Sequence, residues 1–321
     1  MTSEKQQAST TSLPQGTQLA WSLCDWIDHV SSNPNPPSPW TVVWQPSSIG
    51  ADYSAVLLNP TTNQYALVIQ GTHGAPDELE DFCCEFWAGF DPVSGAKVAI
   101  GAQAALFGAL MQMNASLTKG GTDLGSYLQS ISGSFNATTP LLITGHSLGG
   151  TVAYLAACWI AFQFLNGQQP LTTLPASIQA ITFASFAAGN QALADVLNAS
   201  SNYVPCFNQN DAIPHVWATD TTINPTFNMT NFFQLFPSPG PNPMPNNSLR
   251  TALQNKVTQM QNNQVSYVQT TGQYSFSFSY ATDRNTWDGE LIRQHNDAYS
   301  ETFGSSSSAE TASTGAREVA A

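Results

Sequence analysis

Apolar residues recur along this chain with two different periods, and the alternation between the periods predicts its architecture. Residues 17–30 carry Leu19, Trp21, Leu23, Trp26 and Ile27 on one side of an amphipathic helix. The proline-rich segment SSNPNPPSP then breaks the pattern. Short β-branched or aromatic runs at residues 41–44, 53–58 and 65–70, each bounded by turn residues, predict strands. Helical spacing returns over residues 97–116 and 124–131. A short apolar strand follows at 141–144, and an uninterrupted apolar helix begins after Ser147. Buried strands are expected at 178–183 and 203–207, with a helix around 191–197 between them. Strands alternating with helices of this length indicate an α/β fold, a mainly parallel sheet covered on both faces.

The C-terminal third is less regular. Residues 216–248, rich in Pro, Asn and Phe, are expected as an irregular surface insertion. Beyond them a helix is expected at 248–260, strands at 265–269 and 274–280, and a helix or loop at 287–299. Residues 1–15 and 304–321 have the polar composition of disordered termini, which leaves one domain over 16–303. No internal repeat is visible.

Composition narrows the function. The chain has 321 residues and a net charge of −13, yet only 9% of its residues are charged. No Lys or Arg occurs between Lys119 and Arg250. A nucleic-acid binder needs clustered cations, and a site for an anionic substrate usually wants at least one. Nucleic acid is excluded as a partner, and a neutral substrate is favoured. The five cysteines lack metal or disulfide-framework spacing. Cys24, Cys158 and Cys206 sit in apolar runs as buried small hydrophobes, and Cys83–Cys84 are expected as reduced thiols. No His pair has metal-ligand spacing, so neither metal nor cofactor is expected. Residues 151–165 are apolar but short for a bilayer, so no transmembrane segment is expected and a buried helix fits better. The polar N-terminus lacks a secretory h-region, so a cytoplasmic protein is expected, or a secreted one whose signal was removed. A monomer is the expected state.

The chemistry concentrates at LLITGHSLGGTVA, residues 141–153, which carries G-x-S-x-G at Gly145, Ser147 and Gly149. A buried strand enters the motif and an apolar helix leaves it, as a strand–turn–helix nucleophile requires. Such a turn brings backbone segments so close that only Gly fits beside the Ser. A Ser hydroxyl needs a His to take its proton and a carboxylate to orient that His, in chain order Ser, acid, His. Only His215 and His295 follow the elbow. Asp211 lies just past a strand end and His215 is only four residues from it, so Asp211 with His295 is the favoured pair. Asp195 with His215 is the alternative.

Together these motifs resemble the class 3 lipase family, the fungal triacylglycerol lipases and their relatives. GHSLGG at residues 145–150 is similar to that family's elbow, and TFASFAAGN at 182–190 to its strand and turn. NQNDAIPH at 208–215 resembles its acid segment, in which a non-catalytic His after the Pro is common. His295 and Tyr299 fit its late H-x-x-x-Y, and VIQGT at 68–72 resembles its F-R-G-S/T. The resemblance spans residues 64–300 and implies an α/β-hydrolase fold. It also implies a triad of Ser147, Asp211 and His295, and an oxyanion hole from the N–H groups of Thr72 and Leu148. Gln70 stands where the family usually has Arg, and Phe186 where it usually has Pro. The implied activity is hydrolysis of neutral esters or lipids, with an interface as the site of action for a lipid substrate. Phospholipase A1 or feruloyl-type esterase activity, or a silent hydrolase fold, are the alternatives.

Family lids follow the oxyanion strand, where this chain has APDELEDFCCEFWAGF. Leu79, Phe82, Cys83, Phe86, Trp87 and Phe90 recur at helical spacing opposite a run of acids. This helix is expected either as a lid over the site or as an ordinary helix packed on the core.

Overall fold

The computed structural model describes residues 13–47, 53–71, 83–114, 122–236, 248–271, 274–281 and 286–304. Its centre is a seven-stranded sheet. The strands are β1 (Thr41–Trp44), β2 (Ser54–Asn59), β3 (Gln64–Ile69), β4 (Leu141–His146), β5 (Ile178–Phe183), β6 (Tyr203–Asn208) and β7 (Tyr274–Phe276). They neighbour one another in chain order. β1, β2 and β3 pair antiparallel, and every pairing from β3 to β7 is parallel.

Covering both faces explains why the inner strands read as unbroken apolar runs. All six residues of β4 are buried. Leu141 and Ile143 point into one apolar cluster, together with helix α2 (Ile100–Leu110) and helix α4 (Leu148–Ile160); the short amphipathic α3 (Leu124–Ile131) adds Leu124 and Leu128. Leu142 points the other way, into a cluster with helix α1 (Thr17–Asp28) and residues Ala298, Tyr299 and Phe303. The two-residue period of a strand thus builds a core on each side of the sheet. Helix α4 runs on through a π-helical segment, Ala161–Leu165. The joined stretch Leu148–Leu165 has 18 residues, long and apolar enough to cross a bilayer, contrary to the expectation from length. Two-thirds of it is buried, which is the position of a core helix.

The expected lid helix does not form over its described part. Trp87–Gly89 is a strand, paired antiparallel with Lys97–Ala99, so the helix expected from residue 97 begins only at Ile100. The cause is tertiary anchoring. Tyr267 Oη donates to the carbonyls of Cys84 and Phe86 at 2.8 and 3.1 Å, and Asn263 Nδ2 donates to that of Glu85. Those carbonyls are therefore engaged outside any helix, and Lys97 Nζ sits 4.1 Å over the Trp87 ring. Helix α6 (Ser248–Asn262) adds an ion pair from Lys256 to Glu85 at 2.6 Å. Phe90 is buried in the core, Trp87 is half-buried, and Phe86 is exposed. Leu79 and Phe82 lie outside the described residues. Cys24, Cys84, Cys158 and Cys206 are buried, and Cys83 is exposed.

The expected surface insertion is also corrected over its described part, residues 216–236. Val216, Trp217, Phe227, Met229, Phe232 and Phe236 are buried. Buried irregular chain must find partners for its backbone, and here asparagines supply them. Asn224 Oδ1 accepts from the N–H groups of Thr226 and Phe227, and Asn228 Oδ1 accepts from that of Asn231. His215 joins the same system. Its Nδ1 accepts from Asn228 N–H, so Nε2 carries the proton facing the Gln209 carbonyl. The strand expected at 265–269 is shorter, Tyr267–Val268, and pairs with Ala218–Asp220 outside the central sheet. The last two helices, α7 (Trp287–Ile292) and α8 (Ala298–Phe303), are joined by a π-helical turn, Arg293–Asp297.

Two predictions test this packing. A Cβ on Gly149 would lie 2.7 Å from backbone atoms of Gln70 and still nearer Ile69 O, whereas one on Gly133 would meet nothing within 4 Å. Gly149→Ala is expected to cost about 2–3 kcal/mol, lowering Tm by roughly 5 °C, with Gly133→Ala within about 0.5 kcal/mol of the parent. Thermal unfolding of both variants checks this. Secondly, burial lowers the His215 pKa from 6.5 to about 4. Above pH 6.5 the neutral ring costs nothing; as pH falls towards 4 the unfolded chain takes up a proton that the folded one refuses. The parent should lose on the order of 2–3 kcal/mol from this group between pH 7 and pH 4.5. Urea unfolding of His215→Gln should show a correspondingly flatter pH dependence; parallel curves would count against the buried neutral imidazole.

Candidate active site

The site is built where β3, β4 and β6 end. At the end of β4 the chain turns through Ser147, whose φ of 59° and ψ of −128° lie outside the regions normal for L-residues. Such a conformation costs on the order of 1–3 kcal/mol and persists only where its surroundings fix it. The surroundings here are backbone. A Cβ at Gly145 would collide with Gly149 O, and one at Gly149 with Ile69 O of β3. Ser147 N–H donates to the Phe183 carbonyl at the end of β5, 3.0 Å away. Leu148 opens helix α4, which puts its N–H in the first turn, where backbone donors have no helical acceptor. Gly71 closes the other side: a Cβ there would lie 2.7 Å from His146 O and 3.4 Å from Ser147 Cβ. Thr72, the next residue, lies outside the described residues.

Asp211 and His295 are brought together across 84 positions of sequence. His295 Nδ1 lies 2.9 Å from Asp211 Oδ2 and 3.1 Å from Oδ1. Asp211 is fully buried, and two further donors satisfy it: Ile213 N–H at 3.0 Å and Tyr299 Oη at 3.1 Å. An acceptor-only carboxylate forces the proton onto Nδ1 of the imidazole, which leaves Nε2 with a lone pair. His295 also sits against the elbow. Its ring centroid is 4.4 Å from that of His146, the residue preceding Ser147, and its carbonyl accepts from His146 Nε2 at 2.9 Å. Asp195 is occupied elsewhere, accepting from Gln191 on the exposed side of α5 (Gln191–Asn198). His215 is held by Gln209 and Asn228, so the alternative pair does not form.

A second layer fixes these groups, and most of it escapes sequence patterns. The π-helical turn carries His295, and Gln294 beside it is buried. Gln294 Oε1 accepts from Asn208 Nδ2 at 2.7 Å, while its Nε2 donates to Glu290 Oε1, also at 2.7 Å. Glu290, wholly buried, receives Arg293 Nη1 at 3.0 Å. Asn208 closes β6, the strand that delivers Asp211, and its N–H donates to Tyr299 Oη. Asp211 and His295 are thus tied to each other through Asn208 and Gln294 as well as directly. Asp28 was missed altogether: its Oδ1 accepts from Gly71 N–H at 3.2 Å, and its Oδ2 lies 3.8 Å from His146 Nδ1. The available signal was a carboxylate on the apolar stripe that runs through Trp21 and Cys24.

Comparison with known proteins bears on the fold and on the segment around the elbow. Residues 66–221 match the family model described as Lipase (class 3). Among solved structures, the M37 lipase superposes with a TM-score of 0.68 at 16% identity, covering 90% of this chain and 92% of that one. The Rhizomucor miehei lipase propeptide complex gives a TM-score of 0.47 at 18% identity, over 65% of each chain. A triacylglycerol lipase from Penicillium expansum gives 0.46 at 16%, over 67% of this chain and 75% of that one. These last two overlaps are too partial to add to the argument. No curated protein matches the chain. The mainly parallel sheet, the strained Ser147 turn and the matched segment converge on one reading: the chain has the α/β-hydrolase fold, and its residues 66–221 resemble the class 3 lipases, a likeness that supports hydrolysis of esters or lipids.

Proposed function

We propose that this protein hydrolyses neutral carboxylic esters through an acyl-enzyme on Ser147, with His295 as general base and Asp211 as its orienting acid. The observation that carries the reading is the buried Asp211–His295 hydrogen bond beside the strained elbow. His295 Nε2 takes the proton from Ser147 Oγ as that oxygen attacks the ester carbonyl carbon. The imidazolium then gives this proton to the leaving alcohol as the C–O bond breaks. Water, deprotonated by the same nitrogen, releases the acid and returns the serine. Leu148 N–H and Thr72 N–H receive the oxyanion in both halves of the reaction. Asp211 has the Tyr299 hydroxyl and Ile213 N–H to hold its charge while His295 turns positive.

The absence of Lys and Arg from residues 120–249 favours an uncharged acyl group. A lipid interface as the site of action follows from the family rather than from any residue described here.

Ser147→Ala is expected to lower kcat on p-nitrophenyl butyrate by several orders of magnitude, roughly 10⁴-fold or more, without changing Tm by more than a few degrees. His295→Ala should match that loss. His215→Gln should keep kcat within about tenfold of the parent, because its ring serves the fold and not the proton transfer. Stopped assays on the three purified variants, with emulsified tributyrin run in parallel, check this. Full activity in Ser147→Ala, or a reversed ranking of the two histidines, would overturn the assignment.

A further inference from the structure

One carboxylate at the site has no part in the reaction just described. Asp28 ends helix α1, where the helix dipole disfavours a negative charge. Its helix lies against β4, and three side chains at i, i+3 and i+7 follow that strand's inner face. Trp21 meets the His146 ring edge-on with centroids 5.4 Å apart. Cys24 Sγ lies 3.1 Å from Thr144 Oγ1. Asp28 reaches His146 Nδ1 at 3.8 Å.

The same helix end also takes hold of the strand that leads to the oxyanion turn. Gln70 Nε2 donates to the Ile27 carbonyl at 3.0 Å, and Gly71 N–H donates to Asp28 Oδ1. These are consecutive residues immediately before Thr72. On its other side His146 passes the connection onward. A carbonyl only accepts, so Nε2 of His146 carries its proton towards His295 O. Asp28 therefore borders both parts of the machinery that must keep their spacing: the donor strand and the imidazole beneath the base.

We propose that Asp28 is a positioning residue for ester hydrolysis, fixing Gly71 ahead of the oxyanion turn and, through His146, the turn that carries His295. The proposal rests on the reading that Ser147 and His295 perform the reaction. It also gives the low-charge site a second negative group near the base. The charged or titratable groups facing Asp28 are Asp25 on its own helix, His29 just past the helix end, His146 from β4 and His295 from the π-helical turn. Cys24 on the same helix is buried, and its thiol is pushed well up, so it stays neutral. On its far side His295 faces Asp211, itself bonded to Tyr299. Burial raises the Asp28 pKa to about 7, against the pull of Gly71 N–H, so its charge develops around neutral pH. When ionised, Asp28 attracts the imidazolium that forms on His295 during turnover.

The test uses the full chain with Asp28→Ala and Asp28→Asn. Asp28→Ala should lower kcat on p-nitrophenyl butyrate roughly ten- to hundredfold, with KM within about twofold, because positioning is lost and substrate contacts are not. Asp28→Asn keeps an acceptor for Gly71 N–H, so it should recover part of kcat. Without the charge, the acid limb of its kcat/KM profile should move down by about half a pH unit. A kcat within twofold of the parent for Asp28→Ala together with an unmoved limb in Asp28→Asn would overturn the proposal. If Asp28→Ala does not fold, Asp28→Asn decides it alone by the limb shift. Histidine Cε1–H titrations by NMR, in a Ser147→Ala background, read the same coupling without turnover. There, Asp28→Asn should shift the titration of His146 and His295, and unchanged curves would sink the proposal. A parent protein without esterase activity would count against the hydrolase reading instead, and these titrations would still decide the role of Asp28.

Discussion

The close approach of three backbone segments at the end of β4 is the constraint on which the rest of the molecule depends. Gly145, Gly149 and Gly71 are not merely small; a Cβ on any of them would run into backbone, which cannot rotate out of the way as a side chain can. That crowding holds Ser147 at positive φ and lets helix α4 begin immediately after it. It also sets what else must be true. β3 has to lie parallel to β4 at the register Ile69 to Gly145, so that Gly71 arrives beside the turn. A slip of one residue would put a side chain where only a glycine fits, and every apolar residue of β3 would change faces.

The cost of bringing Asp211 and His295 into this interior is met mostly with neutral hydrogen bonds. Asp211 is fully enclosed, yet three donors converge on it, and Tyr299 is itself held by Asn208 N–H. Asn208 and Gln294 then tie the strand that leads to Asp211 to the turn that carries His295. An unsatisfied buried polar group costs on the order of 1–3 kcal/mol, so each member depends on the others being in place. The π-helical turn belongs to this arrangement. Inserting one residue into a helical turn alters which side chains face inward, and the inward ones here include both Gln294 and the imidazole that reaches Asp211.

How much of this was legible follows from how local each feature is. The strand–turn–helix at Ser147 is written in adjacent residues, so pattern and spacing located it, and chain order then favoured Asp211 and His295. The helix expected over residues 79–90 had a good apolar stripe, but Tyr267, Asn263 and Lys256 bind residues 84–86 from nearly two hundred positions away. Periodicity cannot see such partners. Residues 216–236 were misplaced for the opposite reason. Their many Asn and Pro residues suggested exposed loop, but those asparagines are what satisfy buried backbone. Asp28 was hidden because its place at the end of the apolar stripe gains a meaning only from Gly71 and His146, which lie 43 and 118 positions away in the chain.

Low charge content and a polar interior are connected. With 9% charged residues, this chain has few ion pairs to draw on; its second layer contains one, Arg293–Glu290, and is otherwise built mainly from amides. Gln269 shows the consequence: Nε2 donates to the carbonyls of Ser185 and Pro214, and Oε1 accepts from Thr270 N–H. One neutral side chain thereby joins the turn after β5, the acid loop and the chain following Tyr267–Val268. A buried ion pair in that place would lose solvation from two charges and regain it only with near-ideal geometry. An amide gives up far less on burial and offers donors and an acceptor in one plane. It also adds no field of its own at long range. The carboxylate in direct contact with His295 is that of Asp211, and neutral donors, the Tyr299 hydroxyl and Ile213 N–H, hold it in place of a second ion.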